Sequence, residues 1–269
     1  MRFVIYAVTR PAYKGPMPDN PPPNPPATDA DTVCTSCLKP TSLCVCDAVV
    51  PIANRIALLI LQHPQEQDKT LGTARLTVRH LTKASLKIGL SWPSLAKALG
   101  QPADPHRWAV LYLGSAKAET AAPGHEVVAV DAKGVADANQ AAALAHLQGV
   151  IVLDGTWSQA KALWWRNAWL LKCRRVILGP RQPSRYGKLR YEPRKDSLST
   201  LEAAALLLSR LEGKPEIETA LGASFERLLD RYRATLGSTA GATGTRRSRP
   251  RAQSRDRRAH RGPTSRSPD

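Results

Sequence analysis

The sequence lacks any apolar run of the roughly eighteen residues that a membrane-spanning helix requires. Its first residues, MRFVIYAVTR, form too short an apolar stretch for a secretory signal peptide and contain no small-residue cleavage site. We therefore expect a cytoplasmic protein with no membrane partner. Disulfide bonds are rare in that compartment, so the cysteines of the chain need another explanation.

Acidic residues are also scarce, with 22 aspartates and glutamates against 39 lysines and arginines, which gives a formal net charge of +17. Residues 238–269 carry nine arginines and two aspartates, a net charge of +7, so the remaining chain still carries about +10. A basic body with a basic tail favours a polyanionic partner such as nucleic acid. The alternative is a solubilising charge with a disordered tail. In a nucleic-acid-binding protein, the tail would add salt-sensitive affinity that is independent of base sequence.

Composition divides the chain into four parts. Residues 1–32 are rich in Pro, Asn and Asp, and residues 237–269 in Ser, Thr, Gly and Arg, so both are expected to be disordered. Residues 33–48 hold four of the five cysteines. Residues 49–236 alternate apolar runs with amphipathic stretches and form the expected folded domain.

The alternation within this domain predicts an α/β fold. Fully apolar strands separated by helices are typical of a mostly parallel sheet with helices on both faces. The predicted strands are 56–61, 108–113, 127–130, 150–153 and 175–178; the predicted helices are 73–83, 139–147, one beginning near residue 158, 201–211 and 225–236.

Four cysteines are spaced C-x2-C-x6-C-x-C: Cys34, Cys37, Cys44 and Cys46. Four thiolates in a small loop match the tetrahedral geometry of zinc, and these soft donors favour zinc over magnesium or calcium. An iron–sulfur cluster is the main alternative. The intervening LKPTSL segment offers Lys39 and two hydroxyls to a phosphate. A structural staple for a loop without its own core is the favoured role.

A second motif directly follows the apolar run VIVL and precedes a helix: Asp154, Gly155, Thr156 and Trp157. Ligands of open α/β sheets bind beyond the carboxyl ends of the strands, which suits Asp154 as a base or ligand anchor. The equally weighted alternative is that Asp154 or Thr156 caps the next helix.

Other aromatic and thiol side chains in this region are expected to have structural roles. Trp164, Trp165 and Trp169 are predicted on the helix that follows the DGTW turn, and their spacing favours packing over base stacking. The isolated Cys173 is expected in the core.

Two further turns carry polar residues. Ser199 and Glu202 form an S-x-x-E capping box, and such a helix start also offers N–H groups to an anion. An anion site is favoured there because basic residues surround it in sequence. The other turn, QHPQEQDKTLGTARL, places Thr73 as a plausible N-cap, and on its own is best interpreted as a solvated turn. The basic residues near the capping box are Arg185, Lys188, Arg190, Arg194 and Lys195.

Taken together in this order, the motifs resemble the DTW-domain family of tRNA-uridine aminocarboxypropyltransferases over residues 33 to 236. A departure is Gly72, where many relatives have a polar residue. The residues that carry the resemblance are the four cysteines, His63 and Glu66 with Thr73-Ala74-Arg75-Leu76, Asp154-Gly155-Thr156-Trp157, and Arg190-x-x-Pro193 with Leu198-Ser199-Thr200-Leu201-Glu202-Ala203.

The resemblance implies a knotted SPOUT-like fold, S-adenosylmethionine as co-substrate, structural zinc and tRNA as partner. No G-x-G-x-x-G occurs, so a Rossmann-type site is not indicated. The family resemblance implies catalytic roles for Asp154 (as the base), Thr156 and Trp157. It also implies roles in binding the S-adenosylmethionine donor for Glu66, Thr73, Arg190, Leu198, Ser199, Thr200 and Glu202. Two alternatives stay open, namely a SPOUT-type RNA methyltransferase and a non-catalytic zinc-knuckle RNA-binding protein.

Overall fold

The chain forms a six-stranded, mostly parallel sheet. The structure, a computed structural model, describes residues 32–112, 126–179, 184–187, 189 and 198–242. The strands are β1 (Ala57–Gln62), β2 (Ala84–Ile88), β3 (Trp108–Leu111), β4 (Val127–Val130), β5 (Gly149–Asp154) and β6 (Arg174–Leu178). Their order is β2-β1-β5-β3-β6-β4, and every neighbouring pair is parallel except β4 with β6. The predicted parallel α/β sheet is confirmed.

Helices cover both faces of this sheet. Successive strand residues point to opposite faces, so β5 contributes Val150 to one core and Ile151 to the other. The first core packs against α5 and α6, and the second against α4. The helices are α1 (Ala74–Arg79), α2 (Leu95–Leu99), α3 (Gln140–Leu144), α4 (Trp157–Arg166), α5 (Thr200–Glu212) and α6 (Pro215–Ala242).

The predicted helix over residues 73–83 is wrong in its second half. Helix α1 ends at Arg79, and the chain then enters β2, a strand that the sequence analysis missed. Strand β2 pairs with β1 alone, at the edge of the sheet, and each of its residues is half-buried. An edge strand of sequence ASLKI has no apolar run by which to recognise it.

The helix after the DGTW turn is shorter than predicted. Helix α4 ends at Arg166, and the Asn167 side chain donates to the carbonyl oxygens of Leu163 and Leu90. Trp169 therefore lies in a separate 3-10 turn, Ala168–Lys172, where it is buried.

The remaining helix predictions agree in place and differ in length. Helix α3 is shorter than the predicted 139–147, whereas α6 begins earlier than residue 225 and continues past Gly237 to Ala242. Among the described residues, no helix is long and apolar enough to cross a membrane. The predicted disordered leader and most of the predicted tail lie outside the described residues.

Candidate active site and metal centre

Asp154 is the last residue of β5, and its carboxylate receives two hydrogen bonds. The side-chain amide of Gln62, its register partner at the end of β1, donates to Oδ2 at 2.6 Å. The hydroxyl of Thr200 donates to Oδ1. Asp154 is half-buried. The structure therefore brings together three segments, β1, β5 and the start of α5, around one carboxylate at the carboxyl edge of the sheet.

Gln62 is a site residue that the sequence analysis missed. An ionised carboxylate only accepts hydrogen bonds, so the amide nitrogen must face Asp154. The amide oxygen of Gln62 is then buried with no hydrogen-bond partner among the described residues. A buried unpaired acceptor is costly and fits a ligand that donates an N–H or O–H group. The sequence feature that could have identified Gln62 is its position as the one polar residue at the end of the apolar strand β1.

The start of α5 has the predicted capping box. The Glu202 N–H donates to the Ser199 hydroxyl at 3.1 Å, and Glu202 Oε2 accepts from the Ser199 N–H at 2.8 Å. The N–H of Leu201, one residue before Glu202, donates at 3.3 Å to the hydroxyl of Thr73. Because these N–H groups are already bonded, an anion here would depend mainly on nearby cationic side chains and the helix dipole.

Thr73 does not act as the predicted cap. It stands at the N-cap position of α1, but its side chain makes no capping hydrogen bond. Its hydroxyl instead accepts from the Leu201 N–H, 128 positions later in sequence. Thr73 is therefore buried between two helix starts, where it holds α5 beside the turn that follows β1.

Glu202 also holds the segment that precedes α5. Its Oε2 accepts from the Ser184 hydroxyl at 2.7 Å, and its Oε1 from the Arg185 N–H at 2.9 Å. Two residues on, the buried Tyr186 hydroxyl donates to the Leu71 carbonyl oxygen at 2.7 Å. The Glu202 carboxylate therefore fixes residues 184 and 185 beside the start of α5.

In the DGTW turn, helix capping and the site carboxylate belong to different residues. Thr156, not Asp154, caps α4, in a capping box with Gln159. A Cβ on Gly155 would lie only 2.8 Å from Gln159 Cβ, so this close approach requires glycine. The Gln159 side chain also donates to the Gln65 side chain at 3.1 Å, which joins the turns after β1 and β5.

Several other predicted residues have clear positions. Glu66 is buried in the turn after β1, and Leu198 packs half-buried against the core. Arg190, like the nearby cationic residues at 188, 194 and 195, lies outside the described residues. Cys173 is buried as predicted, and burial raises the pKa of its thiol to about 12.

The tryptophans of this region have different environments. Trp169 is buried and donates from Nε1 to the Trp92 carbonyl oxygen at 2.9 Å. Trp164 is half-buried against the same core. Trp165 is 69% exposed, so the packing prediction is wrong for it, and Trp157 is 46% exposed.

The four predicted metal ligands converge. The sulfur atoms of Cys34, Cys37, Cys44 and Cys46 all lie within 4.8 Å of one another, and all four are free thiols. Zinc–sulfur bonds of about 2.3 Å would place tetrahedral sulfur atoms about 3.8 Å apart. The Cys37 and Cys44 sulfurs are 3.7 Å apart, and the Cys46 N–H points to the Cys44 sulfur at 3.5 Å. The donor set therefore fits a tetrahedral metal ion.

The cysteines of the cluster differ in pKa because their hydrogen bonds and burial differ. The backbone N–H of Cys37 is the main cause that lowers the pKa of Cys34 to about 6, whereas burial raises the pKa of Cys37 and that of Cys46. Burial lowers the pKa of the neighbouring Lys39 to about 8, and the negative charge of Cys37, Cys46 and Cys44 opposes this shift. A bound cation that deprotonates all four thiols would leave a net negative centre for the Lys39 ammonium.

Lys39 is unavailable to a phosphate. Its side chain is buried, and the ammonium donates at 2.7 Å to the Thr70 carbonyl oxygen. The Thr41 hydroxyl likewise donates within the chain, to the Thr32 carbonyl oxygen. The contacts of LKPTSL therefore favour the staple role over phosphate contact.

Comparisons with known proteins match most of the chain. The family model of the DTW domain matches residues 31–233. Two curated proteins named "tRNA-uridine aminocarboxypropyltransferase 2" are similar to this chain. The protein from Drosophila melanogaster is 31% identical over 196 residues, which is 70% of each chain. The protein from Macaca fascicularis is 29% identical over 192 residues. The latter match covers 70% of this chain but only 59% of the macaque protein. A Mus musculus protein of the same name is 29% identical over 184 residues, 66% of this chain and 56% of its own length. No solved structure matches the chain.

The family match spans the cysteine cluster, Asp154 and the start of α5, so it includes every segment of the site. This chain belongs to the DTW domain family.

Proposed function

We propose that this protein transfers the 3-amino-3-carboxypropyl group of S-adenosylmethionine to N3 of a uridine in tRNA. The observation that supports this most is the Asp154 carboxylate, oriented by Gln62 and Thr200 at the edge of the sheet where ligands of parallel α/β folds bind. The names of the similar animal proteins and the net charge of +17 point to the same substrate class.

The proposed step is a displacement at carbon. Uracil N3 forms a bond to the γ-carbon of the methionyl arm as the bond from that carbon to sulfur breaks. The bonding electrons move to the sulfonium sulfur, which leaves as the neutral thioether methylthioadenosine. The N3 proton passes to Asp154, whose oxygens keep lone pairs free beside the bonds from Gln62 and Thr200. Since sulfonium is already a good leaving group, the protein mainly orients the reactants and removes a proton.

In this proposal, residues near Asp154 bind S-adenosylmethionine and the nucleobase. The unpaired buried oxygen of Gln62 accepts a hydrogen bond from a donor N–H group. Glu66, Thr73 and Leu198 border the donor subsite. Arg190 and the start of α5 bind the carboxylate of S-adenosylmethionine or an RNA phosphate. Thr156 shapes the turn, and the half-exposed Trp157 stacks on a base or on adenine.

The finer fold assignment and the compartment belong to the same proposal. We extend the proposal to a SPOUT-like fold with a knot. It accords with the return of the chain after β6 to the turn that follows β1 and to the end of β5, seen in the bonds from Tyr186 to Leu71 and from Thr200 to Asp154. Zinc is the proposed ion of the four-cysteine cluster. A tRNA substrate agrees with the cytoplasmic location expected from the sequence.

Nucleoside mass spectrometry tests the proposed reaction. Unmodified tRNA is incubated with the full chain and S-adenosylmethionine, digested, and examined for a uridine that carries the aminocarboxypropyl group. We expect that nucleoside together with an equal amount of methylthioadenosine. Adenosylhomocysteine with a methylated nucleoside would support the methyltransferase instead, and RNA binding without any product would support the non-catalytic alternative.

A further inference from the structure

Helix α4 carries exposed aromatic side chains, of which only Trp157 has a place in the proposed reaction site. We propose that the tryptophan face of α4, defined by Trp157, Lys161, Trp164 and Trp165, is a docking surface for unpaired bases of the RNA substrate. The proposal rests on the proposed function because it identifies where that RNA lies beyond the reacting uridine.

The two sides of α4 differ in character. On one side of α4, Ala160 and Leu163 are buried in the core between the helix and the sheet. Residues three, four, seven and eight positions apart share a side of a helix, which groups Trp157 with Lys161 and with Trp165. Lys161 is exposed, and the two tryptophans are 46% and 69% exposed. Two exposed indole rings on one side of a helix form an apolar patch that would bury a large area in contact with a partner.

Cations accompany these rings. The Lys161 ammonium lies 5.9 Å from the centre of a Trp157 ring. The Arg175 guanidinium lies 5.7 Å from the Trp164 ring and 5.6 Å from the Tyr112 ring. Aromatic faces interleaved with basic groups are the pattern by which proteins hold single-stranded nucleic acid, since rings stack on bases and cations contact the phosphates.

The charge of the surrounding sequence supports a polyanionic occupant over a protein or a lipid tail. Residues 155–191 contain no aspartate or glutamate, whereas they contain nine lysines and arginines. The described members that belong to α4 or follow it closely are Lys161, Arg166, Lys172, Arg174 and Arg175. An apolar protein partner would not require so long a stretch free of acidic residues.

The position of the face suits a substrate that enters the site. Helix α4 begins at Trp157, three residues after Asp154. Trp165 lies eight positions after Trp157 on the helix, a rise of about 12 Å. At about 3.4 Å between stacked bases, this length spans three or four nucleotides. The tryptophan face can therefore hold nucleotides that flank a uridine placed at Asp154.

The test compares RNA binding by the full chain and by Trp165→Ala, with S-adenosylmethionine left out. Two fluorescently labelled RNAs serve as probes, a tRNA stem–loop and a fully paired duplex of the same stem. Trp165→Phe retains an aromatic face. Leu236→Ala is the matched control, because Leu236 is also an exposed apolar residue but lies on α6, on the other side of the sheet.

We expect Trp165→Ala to weaken binding of the stem–loop about five- to 100-fold, the effect of one lost base stack, and to leave duplex binding unchanged. Trp165→Phe should bind within about threefold of the wild type, and Leu236→Ala like the wild type. Equal binding of the stem–loop by Trp165→Ala and wild type would overturn the proposal, as would equal weakening for both RNAs.

A second copy of the chain is the alternative occupant of this face, and sedimentation of the free protein tests for it. A wild-type dimer that Trp165→Ala converts to monomer would assign this face to a second copy of the chain and overturn the proposal. Because binding is measured without the donor, a stem–loop effect in a protein that makes no modified nucleoside would refute the proposed reaction and leave the docking surface intact.

Discussion

The ammonium of Lys39 donates a 2.7 Å hydrogen bond to the backbone carbonyl oxygen of Thr70, and thereby joins the four-cysteine cluster to the turn that carries Thr73. The lysine is buried beside three of the cysteines, whose thiolates oppose the loss of its charge. Thr73 in turn accepts from the α5 backbone at Leu201. The four-cysteine cluster is therefore connected through two hydrogen bonds and a short turn to the helix that orients Asp154.

Lys39→Met should loosen that turn. The substitution keeps the apolar stem and removes the charged donor, a loss of about 1.5–3 kcal/mol for a hydrogen bond to a charged group. We expect a lower thermal midpoint and faster amide exchange around residues 70–77, with four cysteine ligands still able to bind zinc. Lys214→Met is the control, since Lys214 also donates to a carbonyl oxygen at 2.7 Å but is partly exposed and far from the cysteines in sequence. Equal exchange in both variants would contradict the connection.

Cys37→Ser should lower metal content as well as stability. A hydroxyl is a poor substitute for a thiolate ligand, and a structural zinc site contributes directly to the free energy of folding. Metal analysis and thermal unfolding of the purified variant measure both effects. Cys173→Ser also loses a buried thiol, yet should keep a full complement of metal because Cys173 lies outside the cluster. A fully loaded, equally stable Cys37→Ser protein would disprove the metal assignment.

Thr200→Val should lower kcat about 10- to 100-fold and leave KM for S-adenosylmethionine within about twofold. The change removes the hydroxyl that orients Asp154 and preserves side-chain shape. Steady-state kinetics with both substrates separates this outcome from a donor-binding role, in which KM would rise at constant kcat. Thr219→Val, which removes an exposed hydroxyl on α6, should match the wild type.

His80→Leu should flatten the dependence of stability on pH. Burial lowers the pKa of His80 from 6.5 to about 4, and neither ring nitrogen has a hydrogen-bond partner in the described part of the chain. The unfolded chain takes up a proton below pH 6.5 while the folded state stays neutral to about pH 4. His80 therefore reduces the free energy of unfolding as pH falls through that window, by about 2 kcal/mol at pH 5.

Urea denaturation at pH 7.5 and pH 5 measures this effect. The wild type should lose about 2 kcal/mol more than His80→Leu between the two pH values. The exposed His106 provides a control, and His106→Leu should keep the wild-type dependence. An identical loss in the wild type and His80→Leu would show that His80 carries none of the pH dependence.

Much of the fold could be predicted because the central strands are apolar on both faces. The runs around residues 56–61 and 150–153 correspond to β1 and β5, which are neighbours inside the sheet and not edge strands. The end of α1 and the strand β2 could not be predicted, since the half-buried edge strand has no distinctive pattern. Boundaries failed where a long-range contact, such as that of Asn167 with Leu90, ends a helix.

Local motifs of the candidate site could be predicted from the sequence, but Gln62 and the long-range connections could not. The capping boxes depend on residues three apart, so sequence identified Ser199 with Glu202. The bond from Gln62 to Asp154 depends on the register of two strands 92 residues apart, and no local pattern fixes that register. For the same reason Thr73 resembled a local cap, although its partner is the start of α5.

Single-turnover transfer by Asp154→Asn, measured beside tRNA binding, tests the catalytic claim most directly. The amide keeps the shape of the side chain and cannot take the N3 proton, and loss of a general base costs about 100-fold or more in rate. Asp230→Asn, an exposed aspartate on α6, is the matched control. We predict at least a 100-fold slower transfer for Asp154→Asn, with tRNA affinity and thermal midpoint close to those of the wild type. A transfer rate equal to that of the wild type would contradict the role of Asp154 as the base.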